Sequence, residues 1–339
     1  MKKLNLAEVK SITYGVDRVL EKGGIFRFRR FTKPQEEYYF NTRFADKVFS
    51  TANVVLSFKT NSQEFFIRGE ARPETTRRAY SIEIHKNGEF MDEISNMKAG
   101  EPFPDMRDPS KVIVGPVGPF YKHYYLGDGD KTITIYLPWS VGVGLSEILI
   151  DSNATLIPVK PRKKLIVYGD SITHGYDARY PSETYASILG RKLKMDVINK
   201  GIGGETYNKE LATFRDNFDP DMILVAYGTN DFSRGDRNKF IEECTGFYMY
   251  LTEKYPNTPI YAVSPIWRAD LDTIKNEFKD FGEIKDLLEV ITKKYENVKV
   301  IDGFNFVPHD EKYFADTMLH PNSEGFSLYA DALCEVIKK

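Results

Sequence analysis

The sequence predicts two parts: a β-sandwich or jelly roll over residues 1–156, then an α/β domain over residues 165–339 with a doubly wound parallel sheet of five strands. Three observations predict this division. Short β-branched and aromatic runs with polar breaks fill the first part. From residue 165 onward, similar runs alternate with helical patterns. Between the parts, residues 157–164 (IPVKPRKK) hold two prolines and a basic cluster, which is typical of an exposed linker.

The first part contains several segments that favour β-strands, because their apolar residues are β-branched or aromatic and polar breaks bound them. These segments are residues 52–58, 64–69, 79–84, 89–94, 132–137 and 146–150. Asn87-Gly88 lies between two of them and tolerates the positive φ of a tight turn, so we expect a hairpin there. Helical periodicity is nearly absent from this part, which favours an all-β domain.

The second part alternates short apolar runs with amphipathic patterns. The predicted strands are residues 165–168, 196–199, 222–227, 260–263 and 298–301. The predicted helices lie around residues 185–193, 240–251, 274–295 and 326–336. In the first of these helices, Tyr185, Ile188, Leu189 and Leu193 recur at the spacing of one helix face. Strands that alternate with helices predict a parallel sheet covered on both faces.

Composition excludes several classes of protein. The 47 basic and 49 acidic residues nearly balance, so the chain lacks the positive charge of a nucleic-acid-binding protein. The sequence has no run of 18 apolar residues, so it predicts no membrane span. Glu8 and Lys10 interrupt any apolar signal segment at the start, and two cysteines, Cys244 and Cys334, are too few for a disulfide framework. We therefore expect a cytoplasmic protein with free, buried thiols and neither nucleic-acid nor membrane partners.

Polar and glycine-rich segments follow each predicted strand of the second part. They are Gly169-Asp170-Ser171-Ile172-Thr173, residues 199–206, Gly228-Thr229-Asn230-Asp231, residues 264–267 and residues 316–322. In a parallel sheet the carboxyl ends of the strands meet at one edge, and ligands bind there. The sequence therefore predicts an active site assembled from these loops.

The residue types in these loops fit acyl transfer. Ser171 is the candidate nucleophile between a strand and a helix, and His320 is the candidate general base. An oxyanion needs fixed donors, which the Ser171 and Gly204 N–H groups and the Asn230 amide can supply. Asp316 is the nearby carboxylate that can orient the imidazole.

Four blocks in this order, GDSIT, GIGGET, GTND and LHPN, resemble the GDSL or SGNH hydrolases over residues 163–339. The resemblance implies a flavodoxin-like sheet and a reaction without metal or cofactor. The implied roles of nucleophile, backbone oxyanion donor, amide donor and base fall on Ser171, Gly204, Asn230 and His320. Gly203 is a lesser candidate for the backbone donor and for substrate binding.

One position departs from the family pattern. Members commonly carry Asp three residues before the histidine, where this sequence has Thr317, and Asp316 lies four before. Either the loop lets Asp316 reach the imidazole, or a backbone carbonyl holds the ring and leaves a Ser–His dyad. We favour Asp316. The Gly-x-Ser-x-Gly elbow of α/β-hydrolases is absent, because Thr173 stands two residues after Ser171.

The order of the two parts is similar to that of carbohydrate esterase family 2, whose members remove O-acetyl groups from plant-polysaccharide sugars. This second resemblance rests on domain order and length. It implies a serine esterase acting on acetylated xylo-, manno- or gluco-oligosaccharides. Two alternatives stay open: a lipolytic, thioester or aryl esterase of the same superfamily, and a catalytically inactive carbohydrate-binding protein.

Other polar residues near the predicted site have simpler interpretations. Asp170 and Asp231 are expected to fix loops by hydrogen bonds, and His174 is expected to belong to a helix turn. Trp267, at a strand end, is equally suited to stacking on a sugar ring and to core packing.

A metal site is not expected. His309 and Asp310, with Asp316 and His320, could suggest a cluster, but their spacing lacks a His-Glu-x-x-His pair.

Overall fold

The computed structural model describes residues 1–101, 103–104 and 114–338. Within this range, the N-terminal half forms two antiparallel sheets, which confirms the predicted β-sandwich. Its described strands are β1 (Lys2–Lys3), β2 (Thr13–Tyr14), β3 (Arg18–Lys22), β4 (Ile25–Arg29), β5 (Val55–Thr60), β6 (Glu64–Pro73), β7 (Ser81–Lys86), β8 (Glu89–Ser95), β9 (Pro119–Tyr125), β10 (Lys131–Tyr136), β11 (Val141–Ile150) and β12 (Ile157–Pro158).

One sheet has the order β3-β4-β11-β6-β9, with β1 beside β11, and the other has the order β12-β5-β10-β7-β8, with β2 beside β5. Alternate residues of both sheets face a shared core, as in Phe65 and Ile67 of β6 and Ile133 and Ile135 of β10. The predicted hairpin joins β7 to β8, and Asn87 and Gly88 at its turn have φ angles of 55° and 89°.

Two helices in this half were not predicted: α1 (Leu6–Ile12) and α2 (Lys33–Phe40). Both are too short for clear periodicity. Each begins with a capping box, in which the side chains of Asn5 and Thr32 accept a backbone N–H three residues later. The sequence signal that could have found these helices is therefore the cap rather than the apolar spacing.

The C-terminal half is a five-stranded parallel sheet in the order β14-β13-β15-β16-β17, which confirms the predicted flavodoxin-like arrangement. Its strands are β13 (Lys163–Gly169), β14 (Met195–Asn199), β15 (Met222–Ala226), β16 (Ile260–Val263) and β17 (Val298–Ile301). Its described helices are α3 (Ser171–His174), α4 (Tyr185–Leu193), α5 (Lys209–Thr213), α6 (Thr229–Arg234), α7 (Arg237–Lys254), α8 (Glu283–Thr292) and α9 (Ser323–Lys338).

Successive residues of the central strands point to opposite faces of this sheet, so each face has its own core. Leu165 and Val167 of β13 pack in the cluster that includes α4 and α9. Ile166 and Tyr168 pack in the cluster that includes α5, α7 and α8. Both faces are therefore apolar, which accounts for the continuous apolar run of β13.

The predicted helix over 274–295 is wrong in its first half, because α8 begins only at Glu283. Asn276 accepts the N–H of Phe278 with its side chain (3.0 Å), and this local bond competes with helix formation. Phe278 and Phe281 instead pack on Phe232, with ring centroids 5.6 and 4.9 Å away. The apolar residues at helical spacing are therefore aromatic side chains that hold a loop against the core.

Buried side chains connect the two halves. The predicted linker, residues 157–164, contains β12, which pairs with β5, and the first residues of β13. The Arg30 guanidinium is fully buried and donates to the carbonyls of Asn199 (2.5 Å) and Gly201 (3.2 Å). The N-terminal half thus contacts the loop that follows β14.

Two further findings concern the helices of the described residues. Cys244 and Cys334 are free and buried. None of the helices combines the length with the apolar character that crossing a bilayer requires.

Candidate active site

Ser171 lies at the carboxyl end of β13 as the first residue of α3. The Asp170 carboxylate caps this short helix by accepting the N–H of Ile172 (2.9 Å). Gly175, in the left-handed region, ends the helix after four residues. The turn is thus fixed at both ends, and it holds the Ser171 side chain above the sheet edge.

The structure brings His320 and Asp316 to Ser171. The Nε2 atom of His320 lies 2.8 Å from the Ser171 Oγ, and its Nδ1 atom lies 2.8 Å from the Asp316 Oδ2. Both are hydrogen-bond distances, and all three side chains are buried. The hydroxyl, imidazole and carboxylate form a continuous chain with the geometry of a catalytic triad.

The loop before His320 explains how a carboxylate four positions away reaches the imidazole. Thr317 has a φ of 51°, so the chain makes a tight turn immediately after Asp316. The Oδ1 atom of Asp316 accepts the N–H groups of Met318, Leu319 and His320 at 3.0, 2.7 and 3.0 Å. These three bonds fix the carboxylate and leave its Oδ2 atom for the imidazole.

The loop after β14 carries the predicted backbone donor. Gly204 has a φ of 85°, a backbone angle that residues with a side chain rarely adopt. Among the described residues, neither the Gly204 N–H nor the Ser171 N–H has an acceptor. The Gly203 N–H is engaged, because it donates to the Nδ1 of His174 (3.3 Å). A Cβ at Gly203 would lie 2.4 Å from the Tyr176 ring, so this glycine serves close packing.

Asn230 is the second residue of α6, directly after β15. One hydrogen of its Nδ2 donates to the carbonyl of Glu205 (2.8 Å), which ties Asn230 to the loop of Gly204. The amide has a second hydrogen for another acceptor, and the side chain is half-buried.

The family comparison matches residues 167–328 to the GDSL-like Lipase/Acylhydrolase family. This segment of the C-terminal half is therefore similar to GDSL-like lipases and acylhydrolases. The match spans the segments of Ser171, Gly204 and Asn230, together with that of His320.

Two curated relatives are similar to parts of this chain. An acetylxylan esterase / glucomannan deacetylase of Cellvibrio japonicus is 26% identical over 164 residues, covering 36% of this chain and 45% of that protein. An arylesterase of Vibrio mimicus is 35% identical over 86 residues, covering 23% of this chain and 43% of that protein. The chain thus matches less than half the length of either relative.

Solved structures share the fold across both halves. A salicylyl-acyltransferase, SsfX3, from a tetracycline biosynthetic pathway has a TM-score of 0.80 at 20% identity, covering 96% of this chain and 93% of that one. A family two carbohydrate esterase from Clostridium thermocellum, in complex with cellohexaose, has a TM-score of 0.62 at 15% identity, covering 93% and 98%. The sandwich followed by a five-stranded parallel α/β sheet is therefore a shared fold.

Sequence reasoning missed a second carboxylate at the imidazole. The Asp177 Oδ2 lies 3.1 Å from the His320 Nδ1. The Arg77 guanidinium, from the N-terminal half, binds both oxygens of Asp177 at 2.8 and 3.1 Å. No local pattern marks this pair, because its members are 100 positions apart. The only sequence signal is the closeness of Asp177 to the GDSIT block.

The two carboxylates control the charge of the imidazole. Burial lowers the pKa of His320, but hydrogen bonds and negative charge from Asp177 and Asp316 outweigh it and raise the pKa to about 9. Burial also raises the pKa of each carboxyl group, but their bonds to the imidazole dominate and hold both pKa values below the ordinary value. The site therefore stabilises an imidazolium, the charge that develops when serine loses its proton.

Three other buried carboxyl groups support the loops around the site. Burial raises the pKa of Asp170 to about 6 and the pKa values of Asp231 and Glu205 to about 7. Asp231 accepts the N–H of Tyr207 (3.2 Å), and Glu205 accepts the hydroxyl of Tyr39 (2.5 Å). These contacts support the predicted loop-fixing roles of Asp170 and Asp231.

His174 is packed away from Ser171 and holds the neighbouring loop. Its Nε2 lies 2.7 Å from the Ser50 Oγ and 3.0 Å from the Trp139 carbonyl. Burial and the charges of Arg30 and Lys47 keep the pKa of His174 well below its ordinary value. It is a neutral residue that joins the N-terminal half to the Gly203 segment.

Trp267 is half-buried, with its ring 5.2 Å from the His309 ring in a stacked arrangement. One face of the indole is therefore already covered, and a role in sugar stacking stays a prediction.

Among the described residues, Asp177, Asp316 and His320 form the one group whose ligand atoms, all within 4.8 Å, could hold a metal ion. His309 and Asp310 are not in this group. The charge of Arg77 on Asp177 would repel a cation, and the Nδ1 of His320 already binds the carboxylates. The group fits an imidazole network better than a metal site.

Proposed function

We propose that this protein is a serine esterase that removes O-acetyl groups from carbohydrates through an acyl-enzyme intermediate. The observation that carries the proposal is the continuous chain from the Ser171 Oγ through the His320 imidazole to a carboxylate fixed by three N–H groups. Such a chain activates a hydroxyl that is otherwise a weak nucleophile. The relatives named as acetylxylan esterase and arylesterase support an ester substrate.

Acylation begins when Ser171 attacks the ester carbonyl. As the new C–O bond forms, the Ser171 proton moves to the Nε2 of neutral His320, and the carbonyl oxygen becomes an oxyanion. The Ser171 and Gly204 N–H groups and the second amide hydrogen of Asn230 bind this oxygen. The tetrahedral intermediate then expels the sugar hydroxyl, which takes its proton from His320.

Deacylation repeats these steps with water. His320 takes a proton from water, the hydroxide adds to the acetyl carbonyl, and the same donors bind the oxyanion. The intermediate releases acetate and returns the proton to the Ser171 oxygen. The charges of Asp316 and Asp177 stabilise the imidazolium in both halves of the cycle.

The carbohydrate as leaving group is the finer part of the proposal. It is supported by the relative named acetylxylan esterase / glucomannan deacetylase and by the family two esterase that shares both halves of the fold. The test is acetate release from acetylated xylo-, manno- and gluco-oligosaccharides, with acetyl and octanoyl aryl esters alongside. We expect turnover of acetyl sugars and a preference for the acetyl over the octanoyl ester. Faster cleavage of the octanoyl ester with no sugar turnover would favour a lipolytic enzyme.

Replacing Asn230 with alanine is expected to lower kcat by about 10²–10³, because one oxyanion donor is lost. Steady-state kinetics on an acetyl aryl ester measure the effect. Asn208→Ala is the control, since the Asn208 amide supports the same loop through the Glu205 side chain (3.0 Å). A similar loss in both variants would mean that loop disorder, rather than the missing donor, causes the effect.

The dependence of kcat/KM on pH should follow the titration of His320. Only the neutral imidazole accepts the Ser171 proton, and its pKa is raised to about 9, so kcat/KM should rise with pH up to that region. Rates of an acetyl aryl ester between pH 6 and 10, corrected with the Ser171→Ala variant for spontaneous hydrolysis, measure the midpoint. A plateau reached by pH 7 would contradict the raised pKa.

A further inference from the structure

Three cationic side chains surround Gly204 at the candidate oxyanion site. The Nη2 atoms of Arg43 and Arg234 donate to the Gly204 carbonyl at 3.2 and 2.5 Å. The Lys47 Nζ donates to the Gly203 carbonyl at 2.6 Å. Arg43 and Lys47 come from the N-terminal half, and Arg234 comes from α6 of the C-terminal half. We call Arg43, Lys47 and Arg234 the basic rim.

The basic rim is not neutralised by ion pairs. Within the described part of the chain, none of its three members has a carboxylate within 4.0 Å, whereas nearby Arg77 is paired with Asp177. Burial lowers the pKa of Lys47, and the charges of Arg43 and Arg77 lower it further. The rim therefore concentrates like charges at some electrostatic cost.

The buried carboxyl groups beside the rim compensate this charge only in part. Glu205 and Asp231 interact with Arg234, but burial raises the pKa of both to about 7. Each is also occupied by other donors: Glu205 accepts the Tyr39 hydroxyl, and Asp231 accepts the Tyr207 N–H. Burial therefore disfavours the negative charge of both groups, so they offset the positive charge of the rim only in part.

The rim also has unused hydrogen-bonding capacity. A guanidinium has five N–H donors and an ammonium has three. Each side chain uses part of this capacity to bind a backbone carbonyl, which holds the cation in place. Arg43 and Arg234 are exposed, and their remaining donors can reach a molecule at the site. Cations fixed in this way, with free donors, are preorganised to bind an anion.

We propose that the ester substrate carries an anionic group, a carboxylate or a phosphate, next to the acylated hydroxyl, and that the basic rim binds it. This inference rests on the proposed esterase function and narrows its substrate class to acetylated acidic sugars. Arg43 and Arg234 bind the anion beside Gly204, while the ester carbonyl lies in the oxyanion site. Because the cations are exposed, their contribution should weaken as salt screens the charges.

The test compares sugars in pairs that differ at C6 by the presence of an anionic group. The methyl glycoside of acetylated galacturonic acid, with a free carboxylate, is compared with acetylated methyl galactoside, and acetylated glucose 6-phosphate is compared with acetylated glucose. Acetate release in 10 mM and 500 mM salt gives kcat/KM for each. We expect at least one anionic substrate to exceed its neutral counterpart about tenfold at low salt, and this ratio to fall at high salt. The preferred anion distinguishes a carboxylate from a phosphate.

Variants of the basic rim test whether its side chains cause the preference for an anionic substrate. The double variant Arg43→Gln/Arg234→Gln should lower the anionic-to-neutral ratio by about threefold or more. Lys163→Gln is the matched control, because Lys163 is exposed at the amino end of β13, opposite the end that leads to Ser171. This control should keep the ratio of the unaltered protein.

The outcomes separate the two proposals. If the neutral sugars and an acetyl aryl ester are hydrolysed and neither anionic sugar is preferred, the basic rim has no role in substrate choice and this inference is wrong. A preference that survives in the double variant also overturns it. If no acetyl ester is hydrolysed, both the esterase function and this inference fail.

Discussion

In the Ser171→Ala variant, kcat for ester hydrolysis is expected to fall by about 10⁶-fold. The reason is that neither Asp316 nor His320, the other members of the hydrogen-bonded series, can form the acyl-enzyme. Only catalysis by the oxyanion donors and by binding would remain. Acetate release from an acetyl aryl ester measures the loss, and mass spectrometry after rapid quenching tests for the acetylated protein.

The fold should survive this substitution. Removing one buried hydroxyl costs about 1 kcal/mol, so the thermal midpoint should change by only a few degrees. Ser50→Ala is a matched control, since Ser50 is also a buried serine bonded to a histidine, His174, outside the proposed chain. Turnover by Ser171→Ala within tenfold of the unaltered protein would refute the nucleophile and the proposed mechanism.

The Asp316→Asn variant is expected to lower kcat by about 10³–10⁴-fold. The Oδ1 position would still accept three N–H groups, so the new NH₂ group would face the His320 Nδ1. Only the more distant Asp177 would still favour a proton on Nδ1. The new amide faces Nδ1 as a hydrogen-bond donor, so it favours the tautomer that carries the proton on Nε2. In that tautomer the imidazole cannot accept the Ser171 proton.

The matched variant is Asp177→Asn, which changes the second carboxylate at the same nitrogen. Asp177 is shared with Arg77 and lies farther from Nδ1, so we expect a loss of about tenfold or less. This variant should also lower the midpoint of the pH profile, because one source of the raised His320 pKa disappears. If Asp177→Asn costs more than Asp316→Asn, the assignment of the orienting carboxylate must be reversed.

Much of the fold could be predicted because it is encoded locally. A run of β-branched and aromatic residues identified the first part of β6, and Asn87-Gly88 identified a hairpin turn, since both patterns depend on residues adjacent in the chain. The failure at residues 274–282 has the same origin. Aromatic residues spaced as on a helix were in fact anchors of a loop, and only the packing of Phe278 and Phe281 on Phe232 distinguishes the two cases.

The residues of the candidate site divide in the same way, into those that a local sequence pattern marks and those whose role depends on the folded conformation. The blocks of Ser171, Asn230 and His320 were visible because each follows a strand or precedes a helix of a parallel sheet, whose carboxyl edge is shared. The sequence favoured Asp316 but could not decide between it and a backbone carbonyl as the group that orients the imidazole. The choice depends on the backbone conformation of Thr317, which no residue pattern predicted.

The sequence by itself determined that a hydroxyl, an amide and an imidazole occupy loops at one edge of a parallel sheet. The tertiary structure alone decided that two carboxylates meet at the His320 Nδ1, that Arg77 holds one of them, and that the basic rim surrounds Gly204. Arginine, lysine and aspartate are ordinary surface residues in any sequence. Their charges act together only when long-range packing brings side chains from both halves of the chain to the same site.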